Sequence, residues 1–220
     1  MTRGAFVTGT DTGVGKTLAC CVLLHALAAR GVRAMPMKPI AAGATRDANE
    51  DTVALIRAAG RGTPREVTPL LLREPMAPHI AAAREGMVLT LAPVMAAFQR
   101  LQAQSDFVLV EGVGGFKVPL ANGLDTVDMA RALALPVVLV VGLRLGCLNH
   151  ALLTAEAIVA AGLPFAGWIA NEVDPEMAVR DENVATLRER LAAPLLGRLP
   201  HAPGADSMSL ARHLDVAALL

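Results

Sequence analysis

The chain has 220 residues, 54% of them apolar, with 20 basic and 20 acidic side chains that cancel. That is enough apolar sequence for one large core, and zero net charge offers neither nucleic acid nor an anionic membrane a basic surface. The apolar run Ala5–Val7 stops at a glycine loop, unlike a signal segment, and the longest run, Ala132–Leu143, has 12 residues and contains Pro136, too few to span a bilayer.

In chain order, Ala5–Thr8 is expected to be a short buried strand, and Thr17–Arg30 a helix closed by Gly31. Val32–Met37 reads as a second strand ending at Lys38-Pro39, and Asp51–Ala59 as a helix stopped by Gly60. Arg61–Pro78 is punctuated by proline and takes no assignment. Leu91–Gln104 is a helix, and Phe107–Val110 a strand running into Glu111-Gly112. Asp125–Ala134 is a helix capped by Asp125 or Thr126. Val137–Val141, continuous and β-branched, suits a parallel sheet covered on both faces. Asn149–Ala161 is a helix, Phe165–Ala170 a strand, Glu176–Leu191 a helix and Leu195–Leu199 a last strand. The β-α alternation predicts one α/β domain over residues 1–220, a doubly wound, mostly parallel sheet. Ligands of such sheets sit beyond the carboxyl ends of the strands.

The segment "VTGTDTGVGKT" carries the first chemical signal. A common phosphate-binding loop has four residues between its first glycine and Gly-Lys-Ser/Thr, whereas five separate Gly9 from Gly15-Lys16-Thr17 here. The context, strand before and helix after, is the one such a loop needs. Gly13 and Gly15 permit positive φ and close backbone approach to phosphate oxygens. Lys16 would neutralise the β and γ phosphates, and the Thr17 hydroxyl would hold Mg²⁺. The predicted ligand is a nucleoside triphosphate, and the added residue lets the loop reach further over the γ-phosphate towards a second substrate.

Glu111 ends an apolar strand, where carboxylates of phosphate-loop enzymes hold Mg²⁺. Asp51 is a second candidate ligand, with Glu50 as an alternative and an ordinary helix cap as the plain reading of that stretch. Arginine outnumbers lysine 17 to 3, so the three lysines stand out: Lys16, Lys38 and Lys117. Lys16 and Lys38 read as functional, Lys117 as incidental. Cys20, Cys21 and Cys147 form neither a disulfide framework nor a metal-ligand spacing, which fits a cytoplasmic protein. His25, His79, His150 and His213 are scattered and read as structural, with His79 as packing or pocket wall.

Four segments together resemble the dethiobiotin synthetase family, P-loop enzymes of biotin synthesis. They are "FVTGTDTGVGKT", "MKPIAAG", "LVEGVGGFKVPL" and "LGCLNHALLTAEAI" followed by "GWIANEV"; with a further match at "GRLPHAP", the resemblance runs from Phe6 to Leu199 and just beyond. The resemblance implies an ATP- and Mg²⁺-dependent ligase that joins CO₂ to 7,8-diaminononanoate through a carbamate and a carbamic-phosphoric anhydride, then closes the ring. It implies a catalytic role for Lys38 on the carbamate, with Lys16 and Thr12. Nucleotide contacts are implied for Gly13, Val14, Gly15, Lys16, Thr17, Leu18, Asp51, Glu111, Gly112, Val113 and Gly114. Asn171, Glu172, Pro200, His201 and Ala202 would line the base. Ala42 and the loop Gly146, Cys147, Leu148, Asn149 would contact the substrate, the loop taking its carboxylate across a homodimer interface. By residue chemistry alone that loop reads as an ordinary turn with Asn149 as helix cap, and the resemblance reverses that reading.

Two positions depart from the family pattern, and Lys117 has no counterpart in it. Ala42 stands where many members carry Ser or Thr, and Gly13 where some carry Glu. A related amidotransferase would need an added glutaminase domain, for which the chain has no room. A MinD-type regulatory ATPase would need a second lysine where Thr10 stands.

Overall fold

A chain that alternates short apolar runs with helical stretches must cover each strand on both faces, and the computed structural model, which describes residues 3–45 and 47–220, does so with one parallel sheet. Its first half comprises β1 (Arg3–Gly9), α1 (Lys16–Ala29), β2 (Ala34–Met37), β3 (Ile40–Ala41), α2 (Glu50–Ala59), α3 (Pro64–Val67), β4 (Leu70–Leu71), α4 (Pro78–Arg84) and α5 (Leu91–Ala103). The second half comprises β5 (Phe107–Glu111), β6 (Pro119–Ala121), β7 (Leu124–Asp125), α6 (Thr126–Leu133), β8 (Val137–Gly142), α7 (Cys147–Ala160), β9 (Phe165–Asn171), α8 (Arg180–Arg190), β10 (Leu195–Leu199) and α9 (Ser207–Leu210).

The six-stranded sheet runs β10-β9-β8-β1-β5-β2, with every neighbouring pair parallel. Side chains alternate between its faces, as the two-residue period of a strand requires. In β5, Val108 and Val110 face one apolar layer with Phe6, Met37 and Trp168, while Phe107 and Leu109 face the other with Val7, Leu23 and Val140. Helix α1 belongs to the second layer; helices α5, α6 and α7 belong to the first. The chain leaves β1 towards β2 on one side and returns to β8 on the other. The reversal of direction beside β1 opens a crevice at the carboxyl ends of the strands.

The expected elements are all present, with shifted ends. The second strand begins at Ala34 rather than Val32, because Val32 N–H closes the turn after α1 by donating to Leu27 O at 3.1 Å. Helix α7 starts at Cys147, with Gly146 as its left-handed cap (φ 93°), so Asn149 lies inside the first turn and does not cap it. Helix α8 starts at Arg180: Asp174 accepts from Glu176 N–H in a turn, and Val179 takes φ 51°, which a helix interior excludes. The unassigned Arg61–Pro78 stretch holds α3 and β4; β4 pairs with β3 in parallel, Ile40 opposite Leu70.

Phe107, fully buried, opens β5 at the end opposite Glu111. Phe107→Ala is expected to lower unfolding free energy by about 3–5 kcal/mol in denaturant melts, through lost burial and a cavity. The folded fraction should keep its ligand affinities.

Candidate active site

The loop after β1 turns on two left-handed glycines, Gly13 (φ 73°) and Gly15 (φ 82°). Gly15 also has no room for a side chain. A Cβ there would lie 2.1 Å from Asn171 Nδ2, which instead donates to Val14 O at 2.9 Å. Val14 packs its side chain beneath Gly142, so its contribution to a ligand is confined to its backbone. The Lys16 ammonium is buried and donates to Asp11 O at 2.9 Å. Burial lowers its pKa, and the neighbouring Lys38 charge lowers it further.

The carboxyl end of β2 delivers Lys38, whose N–H donates to Val67 O at 2.9 Å before Pro39 turns the chain into β3. Lys38 as a whole is only 4% exposed. It meets Glu111 Oε1 at 2.5 Å and Asp51 Oδ2 at 3.1 Å, and reaches Gly112 O at 3.3 Å. Burial alone would lower this amine, but Glu111 and Asp51 outweigh it and hold the pKa above its ordinary value.

Asp51 owes its position to the start of α2. Asn49 caps that helix, its side chain accepting from Asp51 N–H and Thr52 N–H and donating to Ala42 O at 2.9 Å. Glu50, the alternative acid, is exposed, and Asp51 turns inward. The Thr17 hydroxyl lies 2.9 Å from both Asp51 Oδ1 and Glu111 Oε1 and can donate to one at a time. Although burial raises the Asp51 carboxyl, Lys38 and the Thr17 hydrogen bond together hold it below its ordinary value.

The three side chains expected to hold Mg²⁺, those of Thr17, Asp51 and Glu111, therefore converge. Their chemistry fits that ion, which takes one or two carboxylates and completes its shell with phosphate and water. Glu111 Oε2 is buried with no hydrogen-bond partner, which leaves it free to accept a cation. Among the described residues no group of three or more His, Cys, Asp or Glu side chains converges as an all-protein metal cage.

A cavity of about 930 Å³ joins these groups. Of the expected site residues it is lined by Thr12, Gly13, Gly15, Lys16, Thr17, Lys38, Ala42, Asp51, Glu111, Val113 and Gly114. Gly112 lies beneath it, buried, with its carbonyl turned to Lys38. Leu18 lines a separate cavity of about 480 Å³ with His25, Arg57 and Asp206–Met208. Gly146–Asn149 lie outside the large cavity, with Gly146 and Asn149 exposed and Cys147 buried. Pro200, His201 and Ala202 follow β10 and do not line it, and His201 Nδ1 is 3.1 Å from Glu172 O. The Glu172 carboxylate is engaged by Arg180 at 2.8 Å and Arg198 at 2.5 Å. Asn171 uses its amide to brace the phosphate loop.

Sequence reasoning missed part of the lining. Asp11 is a hub: Oδ1 accepts from Thr12 N–H, Oδ2 pairs with Arg144 at 2.6 Å, and the carbonyl takes Lys16. Pro75, Met76, Ala77, Pro78 and Val118 form a mostly apolar wall, and Lys117, read as incidental, lies beside it. Two prolines three positions apart and a third lysine in a lysine-poor chain were the available signals; Arg144 had none. His79, half-buried, lies 3.2 Å from Pro119 O through Nδ1 and does not line the cavity.

Sheet, glycine loop and Lys-Thr helix start define a P-loop nucleotide-binding protein, and residues 3–209 match the AAA domain family. Among solved structures, MinD from Aquifex aeolicus is similar at TM-score 0.59 and 17% identity, covering 96% of this chain and 87% of that one, a likeness of fold. The chain is 54% identical over 217 residues to the ATP-dependent dethiobiotin synthetase BioD of Aromatoleum aromaticum, covering 96% of each. To the same-named protein of Ralstonia nicotianae it is 55% identical over 220 residues, covering 98% of this chain and 96% of that one. The chain belongs to the dethiobiotin synthetase family.

The pH dependence of stability follows from the central pair. Asp51 is depressed on folding, so its contribution is present above its ordinary 3.8 and lost as pH falls through the folded value. Lys38 is raised, so its contribution is present below its ordinary 10.5 and lost as pH rises through the folded value. Asp51→Asn should therefore destabilise most between those limits, with the gap from wild type closing below pH 3.8 in urea melts across pH.

Proposed function

We propose that the chain is an ATP-dependent cyclo-ligase that converts 7,8-diaminononanoate and CO₂ into dethiobiotin, releasing ADP and phosphate. The observation that carries this reading is the buried Lys38 ammonium, held in one cavity with Lys16 and the phosphate loop. The reaction must bring together two anions, a carbamate and the γ-phosphate of ATP, and repulsion between them is offset by positive charge held in a water-poor site. Identity to named dethiobiotin synthetases over almost the whole length supports the same conclusion.

In the first step one amine of the substrate attacks CO₂, forming an N–C bond and losing a proton to give the carbamate. A carbamate oxygen then attacks the γ-phosphorus, and ADP leaves. The second amine attacks the carbonyl carbon of the mixed anhydride, the C–O bond to phosphate breaks, and the cyclic urea forms with loss of the amine proton. Lys38 binds the carbamate, and Lys16 leaves Asp11 O for the β and γ phosphates. Thr12, at the loop tip, holds the attacking group in line. Thr17, Asp51 and Glu111 are the residues that would hold Mg²⁺, which when bound supplies neutralisation of the phosphate charge.

Backbone groups of Gly13–Leu18 and Gly112–Gly114 serve the nucleotide, and Asn171, Glu172, Pro200, His201 and Ala202 surround its base. Ala42 borders the diamine. The loop Gly146, Cys147, Leu148, Asn149 receives the substrate carboxylate from the other subunit of a homodimer, at the amino end of a helix. The enzyme is a single-domain cytoplasmic protein.

The deciding experiment is phosphate release from Mg-ATP and bicarbonate, with and without 7,8-diaminononanoate, with product mass by mass spectrometry. Diamine-dependent release and a cyclic urea are expected. Lys38→Ala is expected to lower the rate by about 10³-fold, the scale of losing one donor to developing charge. Release that ignores the diamine would overturn the reading.

A further inference from the structure

All three lysines of the chain line the same cavity. Two are accounted for: Lys16 rests on Asp11 O, and Lys38 lies between two carboxylates. Lys117 is different. It is exposed, and among the described residues it has neither an acidic partner nor a hydrogen bond. Its backbone is nonetheless fixed. The buried Thr126 hydroxyl accepts from Val118 N–H at 2.9 Å and donates to Phe116 O at 2.7 Å, pinning the residues on both sides. The His79 contact to Pro119 holds this strand beside α4, so Lys117 and the Pro75–Pro78 wall border one space.

The proposed substrate carries an anion at each end of its course: a carbamate among Lys38 and Lys16, and a carboxylate beyond an aliphatic chain. The carboxylate has no evident cation. Gly146–Asn149 offer neutral donors, and the nearby Arg144 guanidinium is spent on Asp11. An unpaired ammonium beside an apolar wall matches an aliphatic carboxylate in both charge and surroundings. We propose that Lys117 is a specificity residue that pairs with the distal carboxylate of the diamine substrate, supplying the charge that the neutral loop lacks. This rests on the function proposed above and extends it to what selects the substrate.

The test compares 7,8-diaminononanoate with 2,3-diaminononane, the same chain ending in a methyl group, by ATP-dependent phosphate release. Lys117→Ala is expected to raise KM for the acid about tenfold, the scale of one charge-assisted contact, while KM for ATP moves less than about twofold. Lys117→Arg should restore most of the affinity. With 2,3-diaminononane, wild type and Lys117→Ala should have equal KM. An unchanged KM for the acid, or the same rise with both diamines, would overturn the proposal, the latter assigning Lys117 to phosphate or carbamate instead. Wild type inactive with both diamines would overturn the function itself, and this inference with it.

Discussion

The site depends on one buried charge arrangement: the Lys38 ammonium between Glu111 and Asp51, at the ends of β2 and β5 and the start of α2. An ion taken out of water costs several kcal/mol unless its partners meet it closely, so these three segments cannot drift independently. Lys16 brings the local sum to two positive and two negative charges, a neutral set that a polyanion then unbalances. Such an arrangement is poor stabilisation and good positioning. It fixes where charge sits before any ligand arrives, so little reorganisation is left for the reaction.

Around this centre the structure is a set of braces. Asn171 props the phosphate loop from β9, Asn49 ties α2 to the Ala42 segment, and Asp11 joins the loop to Arg144. Each is a polar side chain whose hydrogen bonds run to backbone or to a charged partner on another element. The apolar layers set the sheet, and these polar contacts set the loops above it. The helix after β8 is thereby linked to the phosphate loop, although its first turn lies outside the cavity.

Strand and helix types were legible because apolar runs, glycine stops and Asp or Asn caps are local signals. Their ends were less so: the start of α8 depends on a turn at Asp174 and on Val179 in a left-handed conformation, which no apolar period encodes. In the site, Lys16, Thr17 and Glu111 follow from motif and strand-end position. Asp51 was already preferred to Glu50 in the sequence, and the Asn49 cap supplies the helix phase that turns Asp51 inward. The Asn171 role illustrates a limit of residue chemistry: an amide suited to a base edge is first a loop brace. Lys117 was set aside because its value is relational, lying in which wall it borders and in what it lacks.

The order of strands also has a consequence in time. β1 is made first yet lies between β5 and β8, with Phe6 opposite Val110 on one side and Val137 on the other. The phosphate loop therefore has no rigid base until β5 and β8 have left the ribosome, on the order of ten seconds of synthesis after β1. Through that interval β1 and the apolar helix α1 lack the sheet partners that cover them. The nascent chain thus carries exposed apolar surface well before it can receive a nucleotide.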